Sequence, residues 1–184
     1  MITKRKKNMK KEIEVKIEIP KDKLNNLLKG LLLILKAKRL PRIIQKTYGF
    51  FTPDGLSIRK GIFPRIRVDN GIFSLTVKIK KNQKGNYFQR DEYTIKIDDL
   101  EDGKSILKAL GYTDIKYFFK IRTPFYYKKG IELFLDNVPK LGYFLEIETS
   151  KKEIEKIIKI LNLGEEKRIT KSYLGLIEGR KRRE

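Results

Sequence analysis

The first regular pattern along the chain is an alternation of charged and aliphatic residues over Glu12–Ile19. Successive side chains of a β-strand point to opposite sides, so a period of two predicts a strand with one charged and one apolar face. Pro20 ends this strand. In the next segment, Lys21–Lys38, leucine and isoleucine recur every three or four residues, which predicts a helix with an apolar stripe.

Most of the remaining chain has the pattern of strands joined by tight turns. Thr52–Gly55 and Asp69–Gly71 are rich in the residues that favour turns and hairpins. Further strands are predicted at Lys46–Phe51, Pro64–Val68, Ile72–Lys80, Tyr87–Ile97, Lys116–Thr123, Phe125–Lys128, Ile131–Asp136 and Tyr143–Thr149. Further helices are predicted at Leu100–Leu110, Lys151–Leu161 and Thr170–Ile177. The pattern therefore predicts one α+β domain dominated by an antiparallel sheet.

Charged residues share one face in strand after strand. A single strand with such a face is typical of a sheet with one side in water. Because the arrangement is repeated, we expect a closed barrel whose apolar side lies beneath helices and whose charged side lines the lumen. The expected luminal cations are Lys16, Arg65, Arg67, Lys78, Lys80, Arg90, Lys120 and Arg122. The expected luminal carboxylates are Glu12, Glu14, Glu92, Asp136, Glu146 and Glu148.

Composition narrows the chemistry of such a lumen. The 184 residues include 44 Lys and Arg against 23 Asp and Glu, a net charge of +21, which indicates an anionic partner, either nucleic acid or a phosphorylated small molecule. The absence of cysteine and histidine excludes thiolate metal sites and histidine-based catalytic triads. Carboxylates would have to hold any metal, which favours Mg²⁺ or Mn²⁺, and together with the cations they suit a polyphosphate. No secretory signal or membrane-spanning run is evident, so we expect a cytoplasmic location without membrane contact.

The charged strands carry a set of motifs that resembles a known family. Glu12–Lys16 is similar to the ExExK signature of the CYTH domain, the family of class IV adenylate cyclases and thiamine triphosphatases, also called triphosphate tunnel metalloenzymes. Further similar motifs follow in the same order, namely LRxR at Pro64–Arg67, LTxK at Leu75–Lys78, RxE at Arg90–Glu92, KxR at Lys120–Arg122, and the late acidic strands at Asp136 and Leu141–Glu148. The resemblance extends from Glu12 to Tyr173.

This resemblance implies an eight-stranded antiparallel β-barrel, a tunnel with helices packed on its outside, that binds a triphosphate with Mg²⁺ or Mn²⁺. It implies phosphate binding by the eight cations named above and catalytic roles for Glu14, Lys16 and Glu92, with Glu92 orienting a cation or joining a second metal. The implied metal ligands are Glu12, Glu14, Asp136, Glu146 and Glu148. Because ExExK usually lies close to the initiator methionine in this family, we expect the domain to span residues 9–179, between basic extensions at 1–8 and 180–184.

The reaction stays open at this point. The sequence over Gln45–Asp54 is similar to class IV cyclases, which convert ATP to cyclic AMP and pyrophosphate, although several of them carry a histidine here and this chain has Tyr48. A second hypothesis is a triphosphatase acting on inorganic triphosphate, thiamine triphosphate or a nucleoside triphosphate. A third is a non-catalytic basic protein that binds RNA or phosphate. We further expect weak, non-specific nucleic-acid contact through the basic ends, and a monomer or homodimer.

Overall fold

The computed structural model describes residues 9–81 and 87–181, with the side chains of residues 9–12, 88 and 181 left out. The strands in this part of the chain are β1 (Met9–Ile19), β2 (Lys38–Arg39), β3 (Ile43–Phe51), β4 (Ile62–Asp69), β5 (Ile72–Lys80), β6 (Phe88–Ile97), β7 (Asp114–Tyr126), β8 (Glu132–Val138), β9 (Gly142–Glu148) and β10 (Arg168–Ile169). Eight of these strands form a closed antiparallel barrel, in the order β1-β6-β5-β4-β3-β7-β8-β9. The expected barrel is confirmed.

Strand β1 closes the barrel. Its first half, Met9–Glu14, pairs with β6, and its second half, Glu14–Ile19, pairs with β9. The short strand β10 pairs with β1 beyond the point where β6 leaves it, at Lys16 and Ile17. Glu14 therefore lies where β1 exchanges one neighbour for another.

The described residues include five α-helices. They are α1 (Leu24–Lys29), α2 (Leu56–Arg59), α3 (Leu100–Ala109), α4 (Lys151–Ile160) and α5 (Tyr173–Lys181). Of these, α1, α3 and α4 pack on the outside of the barrel wall. Ser150 and Asp99 cap α4 and α3, because their side-chain oxygens accept hydrogen bonds from backbone N–H groups of the first turn. None of the helices in the described residues is both long enough and apolar enough to cross a membrane.

The main hydrophobic core lies between the barrel wall and the helices. The aliphatic side chains of β1, such as Val15 and Ile17, are fully buried and pack in one cluster with Leu31 of the segment after α1 and with Ile154 and Ile157 of α4. Because these apolar faces point outward under the helices, the charged faces of the same strands point into the lumen. The alternation in the sequence therefore specifies which side of the wall is polar.

Several elements differ from the sequence prediction. The helix predicted at Lys21–Lys38 is shorter: a 3₁₀ turn at Lys21–Lys23 leads into α1, and a π-helical turn at Gly30–Ile34 ends it. Lys36 has a φ of 53°, a left-handed backbone conformation that a right-handed helix cannot contain. The chain then forms β2. Gly30 lies against α4's end, where a Cβ would stand 2.9 Å from Leu161 Cδ2.

The second group of differences concerns β7 and the remaining helices. β7 is one strand through Pro124, whose carbonyl accepts a hydrogen bond from Leu40 N–H, and not two strands as predicted. The helix α2 was not predicted. In α3 the buried side is formed by Gly103 and Leu107, whereas Ile106 and the C-cap residue Leu110 are exposed.

Helix α5 begins and ends later than the predicted Thr170–Ile177. It runs to Lys181, and the Arg180 guanidinium donates hydrogen bonds to the carbonyls of Lys140 and Leu141. Arg180 and Lys181 thus belong to a helix that contacts the barrel, whereas the sequence assigned them to a basic tail.

Candidate functional site

A cavity of about 410 Å³ lies inside the barrel. Every cation expected in the lumen lines it, namely Lys16, Arg65, Arg67, Lys78, Lys80, Arg90, Lys120 and Arg122. Among the expected carboxylates, Glu14, Glu92, Glu146 and Glu148 line it as well. Every second side chain of a strand points to the same face of the sheet, and residues paired across neighbouring strands share that face. The period-two pattern therefore brings these residues together.

Asp136 lies behind the cavity wall and is completely buried. Its carboxylate accepts hydrogen bonds from Lys120 Nζ at 2.6 Å, from Arg122 Nε at 2.8 Å and Nη2 at 2.7 Å, and from the Tyr173 hydroxyl at 3.0 Å. Both of its oxygens are therefore occupied by protein donors. This arrangement differs from the metal-ligand role implied by the resemblance, because Asp136 serves as the counter-ion of two luminal cations.

Glu146 is the second counter-ion of the same cluster. Its carboxylate lies 3.3 Å from Lys16 Nζ and 3.6 Å from Lys120 Nζ, and it also pairs with Arg122. Burial by itself raises the pKa of Glu146, but the three cations outweigh it and hold that pKa well below its usual range. In the same way burial lowers the pKa of Arg122, yet Asp136 and Glu146 raise it well above its ordinary value.

The balance is different at Lys120. Burial, followed by the charge of Arg122, lowers the pKa of Lys120 to about 8, although Asp136 and Glu146 act in the opposite direction. The charge of this ammonium group is therefore lost as the pH rises through about 8.

Glu92 organises a second group of cations on the opposite wall. Its carboxylate lies 3.2 Å from Arg65 Nη2 and 3.0 Å from Lys78 Nζ, and Lys78 is its direct partner across β5 and β6. One of the two roles considered for Glu92, the orientation of a luminal cation, is therefore consistent with its position.

Arg67 lies between the two groups, and the nearby carboxylates of Asp69 and Glu92 do not outweigh the effects of burial and of neighbouring cations on its pKa. Burial, followed by the charges of Arg65 and Arg122, lowers the pKa of Arg67 to about 9. Within the described residues, Arg67 Nε and Arg65 Nε have no hydrogen-bond partner, although both atoms are buried. Buried guanidinium groups are costly unless an anion accepts their hydrogen bonds. The arrangement is suited to an anion in the lumen.

The sequence of this domain identifies its family. The CYTH domain profile matches residues 10–173. The chain belongs to the CYTH family. It is 38% identical over 122 residues to the putative adenylate cyclase MJ0240 of Methanocaldococcus jannaschii, an alignment covering 61% of this chain and 69% of that protein.

Solved structures share the fold of this CYTH domain. The PH1819 protein of Pyrococcus horikoshii OT3 is 28% identical, with a TM-score of 0.72 over 92% of this chain and 99% of that chain. A Hippeastrum protein, HpAC1, is described as a putative adenylyl cyclase with a dominant triphosphatase activity. It is 18% identical, with a TM-score of 0.69 over 91% of this chain and 95% of that chain, and this likeness shows the fold alone.

The remaining carboxylates of the CYTH tunnel form a row across three strands. Glu14 of β1 is the direct partner of Glu148 of β9, and Glu148 is in turn the partner of Glu132 of β8. All three line the cavity. However, no three acidic side chains in the described part of the chain converge closely enough to hold a metal ion, and the side chain of Glu12 lies outside that part.

Sequence reasoning missed several residues of the cavity wall, among them Glu132, Gln45, Thr47 and Tyr173. Glu132 could have been found by continuing the parity of Asp136 back along β8. Gln45 and Thr47 have luminal parity in β3, and within the described residues their buried Oε1 and Oγ1 atoms have no hydrogen-bond partner. Tyr173 comes from a helix, so no strand pattern could have placed it in the lumen.

Proposed function

We propose that this protein is a triphosphatase that binds a triphosphate in the barrel lumen and hydrolyses its terminal phosphoryl group. The observation that carries the proposal is Arg67, whose buried Nε has no hydrogen-bond partner within the described residues and which lies between two groups of cations in the barrel cavity. Guanidinium forks match phosphate oxygens in geometry as well as in charge. Hydrolysis asks for no recognition beyond the triphosphate and a water molecule.

The proposed step is the attack of water on the terminal phosphorus. The bond between that phosphorus and the bridging oxygen breaks, the diphosphate part leaves with the electron pair, and the proton of the water passes to a carboxylate, for which we propose Glu14. Lys16 and the arginines stabilise charge on the transferred group and on the leaving group. Removal of one such contact typically lowers the rate by ~10²–10³-fold.

The roles of the other charged residues follow from their partners. Glu92 acts by holding Arg65 and Lys78 in place. Asp136 and Glu146 act as counter-ions that keep Lys120 and Arg122 aligned and charged. A lumen pre-arranged in this way does not have to reorganise when charge develops in the transition state.

CYTH enzymes of the triphosphate tunnel type generally use divalent metals, and the donor chemistry here fits a hard cation. The chain has neither histidine nor cysteine, and its luminal donors are carboxylate oxygens, which Mg²⁺ and Mn²⁺ prefer. We propose that Glu14 and Glu148 hold the ion, with Glu132 beside them. When bound, such an ion neutralises charge on the phosphate oxygens.

Adenylate cyclase activity is the second candidate, and it has support of its own. The similarity to MJ0240 favours it, and so do the Phe63, Phe118 and Phe134 side chains that line the cavity and could contact a base. In this reaction the 3′-hydroxyl of ATP attacks the α-phosphorus and displaces pyrophosphate.

Product analysis tests both candidates. The full chain is incubated with Mg²⁺ or Mn²⁺ and inorganic triphosphate, thiamine triphosphate or ATP, and the products are separated by ion-exchange chromatography. Phosphate release from any of the three, without cyclic AMP, supports the triphosphatase. Cyclic AMP and pyrophosphate from ATP would identify a cyclase instead, and binding without any turnover would overturn both and leave the non-catalytic hypothesis.

A further inference from the structure

Tyr173, the first residue of α5, lies at the wall of the lumen. Its side chain is 5% exposed and lines the cavity together with Ser172 and Leu174. Two aromatic rings hold it there. Phe144 meets it edge-on at a centroid distance of 5.2 Å, and Phe118 lies at 5.9 Å. The ring is thus fixed by packing that does not depend on any ligand.

The same ring faces two cations of the lumen. Lys16 Nζ lies 4.3 Å and Lys120 Nζ 4.8 Å from the ring centroid. The negative face of an aromatic ring attracts ammonium groups within about 6 Å, and the attraction grows when the groups are removed from water. Lys16 and Lys120 are both almost completely buried. Each ammonium group pairs with a carboxylate, Glu146 for Lys16 and Asp136 for Lys120, and each also contacts the ring of Tyr173.

The hydroxyl of Tyr173 makes a separate contact. It donates a hydrogen bond to Asp136 Oδ2 at 3.0 Å, the same oxygen that pairs with Lys120 and Arg122. Burial, and then the charges of Glu146 and Asp136, raise the pKa of Tyr173 well above its ordinary value. The hydroxyl therefore stays protonated and remains a donor at any working pH.

We propose that Tyr173 is a positioning residue of the tunnel: its ring and its hydroxyl fix the two lysine ammonium groups and Asp136 relative to one another before a triphosphate enters. It follows that the C-terminal helix carries part of the anion site, although it belongs to no strand of the barrel. Without the ring, Lys16 and Lys120 are free to turn fully onto Glu146 and Asp136, and fewer of their N–H groups then face the lumen. This inference rests on the proposed function insofar as the anion is a triphosphate.

Two variants separate the contributions of Tyr173. Tyr173→Phe keeps the ring and loses the hydroxyl, whereas Tyr173→Leu loses both. Phe50→Leu is the matched control, because it removes a fully buried aromatic ring from the separate cluster beneath α3, which does not line the cavity. We expect Tyr173→Leu to weaken binding of inorganic triphosphate by ~10-fold or more and Tyr173→Phe to restore most of that loss. Phe50→Leu should lower the melting temperature with little effect on the affinity.

The measurements are isothermal titration calorimetry with inorganic triphosphate and ¹⁵N NMR of the lysine ammonium groups at pH 6. The wild-type protein should show two exchange-protected ammonium signals that Tyr173→Leu loses and Phe50→Leu keeps. Retention of both signals and of full affinity in Tyr173→Leu would overturn the positioning role. If the ammonium signals respond as expected but the wild type does not bind triphosphate, the positioning role stands and the proposed function fails.

Discussion

Single residues in the lumen differ in whether their charge already has a partner. Asp136 and Glu146 compensate Lys16, Lys120 and Arg122, and Glu92 compensates Arg65 and Lys78. A buried cation with a poor set of partners destabilises the empty protein and gains most when an anion arrives. The residues that contribute most to triphosphate binding are therefore expected to be the ones that contribute least to folding.

Arg67→Ala should separate these two contributions. We expect its melting temperature without ligand to equal or exceed that of the wild type, because a partly buried guanidinium with a lowered pKa and an unpartnered, buried Nε is removed. The rise in melting temperature on adding inorganic triphosphate should largely disappear, since the stabilisation depends on affinity. Arg39→Ala, an exposed arginine, is the control for both effects. A large loss of stability with an unchanged ligand response would show that Arg67 is structural.

Lys120 should give the site a pH dependence. With its pKa at about 8, the ammonium charge is lost as the pH rises through that value, so triphosphate affinity in EDTA should fall there. Lys120→Met should bind more weakly at pH 7 and lack the Lys120 part of this decrease. In the unfolded chain the lysine pKa is about 10.4, so the unfolded state binds more protons between pH 8 and that value. The contribution of Lys120 to the free energy of unfolding therefore rises with pH in this window, which denaturant titration of both proteins can measure.

The acidic residues should divide into two functional classes. Glu148→Gln, in the row with Glu14, should lower turnover by ~10²-fold or more at a constant melting temperature, because it removes charge from the proposed metal site. Glu146→Gln should lower both turnover and melting temperature, since three buried cations lose the charge of a carboxylate that compensates them. Steady-state kinetics in saturating Mg²⁺ and thermal unfolding would check this. Equal effects of the two substitutions on stability would contradict the division.

At the scale of elements, the helices lie close against the barrel wall. In α3, a Cβ at Gly103 would stand 2.6 Å from Ile97 Cδ1 and 2.9 Å from Ile66 Cδ1, whereas a Cβ at Gly179 in α5 would meet nothing within 4 Å. Glycine at the first position permits the close approach of helix and sheet. At the second it only weakens the helix.

Alanine substitutions at these two glycines should therefore have opposite signs. Gly103→Ala is expected to destabilise the protein by ~1–3 kcal/mol through overpacking. Gly179→Ala should be neutral or stabilise it by up to ~1 kcal/mol, since alanine favours the helix. Chemical denaturation of both variants checks the prediction, and a stabilised Gly103→Ala would contradict the packing described for α3.

The elements also show how far the sequence predicts the structure. The period-two alternation is enough to place eight cations on the inner face of the barrel, because every second side chain of a strand points to the same face. The alternation does not show which distant strands pair with one another. The row from Glu14 through Glu148 to Glu132 is therefore visible only in the closed barrel, where β1 pairs with β9 and β9 with β8. Asp136 shares that parity, but its partners Lys120 and Arg122 make it a counter-ion. Lys21–Lys38 has a helical period throughout, yet its helical part ends before Lys36 and its last residue belongs to β2, which pairs with β7.

At the scale of the whole molecule, a closed barrel with its core on the outside leaves a polar lumen. Several of its charged side chains, among them Lys16, Lys120 and Glu146, are almost completely buried, and charge interactions between them are stronger than at a surface. The predicted contact of the basic ends with nucleic acid, in contrast, would involve charges exposed to water, and its affinity should weaken steeply with salt. It stays a prediction, as do the expected oligomeric state and location.

The most direct test of the central claim, that the charged lumen is the triphosphate site, is isothermal titration calorimetry of the full chain with inorganic triphosphate. The account predicts one triphosphate bound per chain, with binding lost in the luminal double variant Arg65→Ala/Arg67→Ala. Binding should be retained in Arg39→Ala/Arg42→Ala, which removes the same charge from exposed positions. Equal loss in the two double variants, or no binding by the wild type, would contradict it.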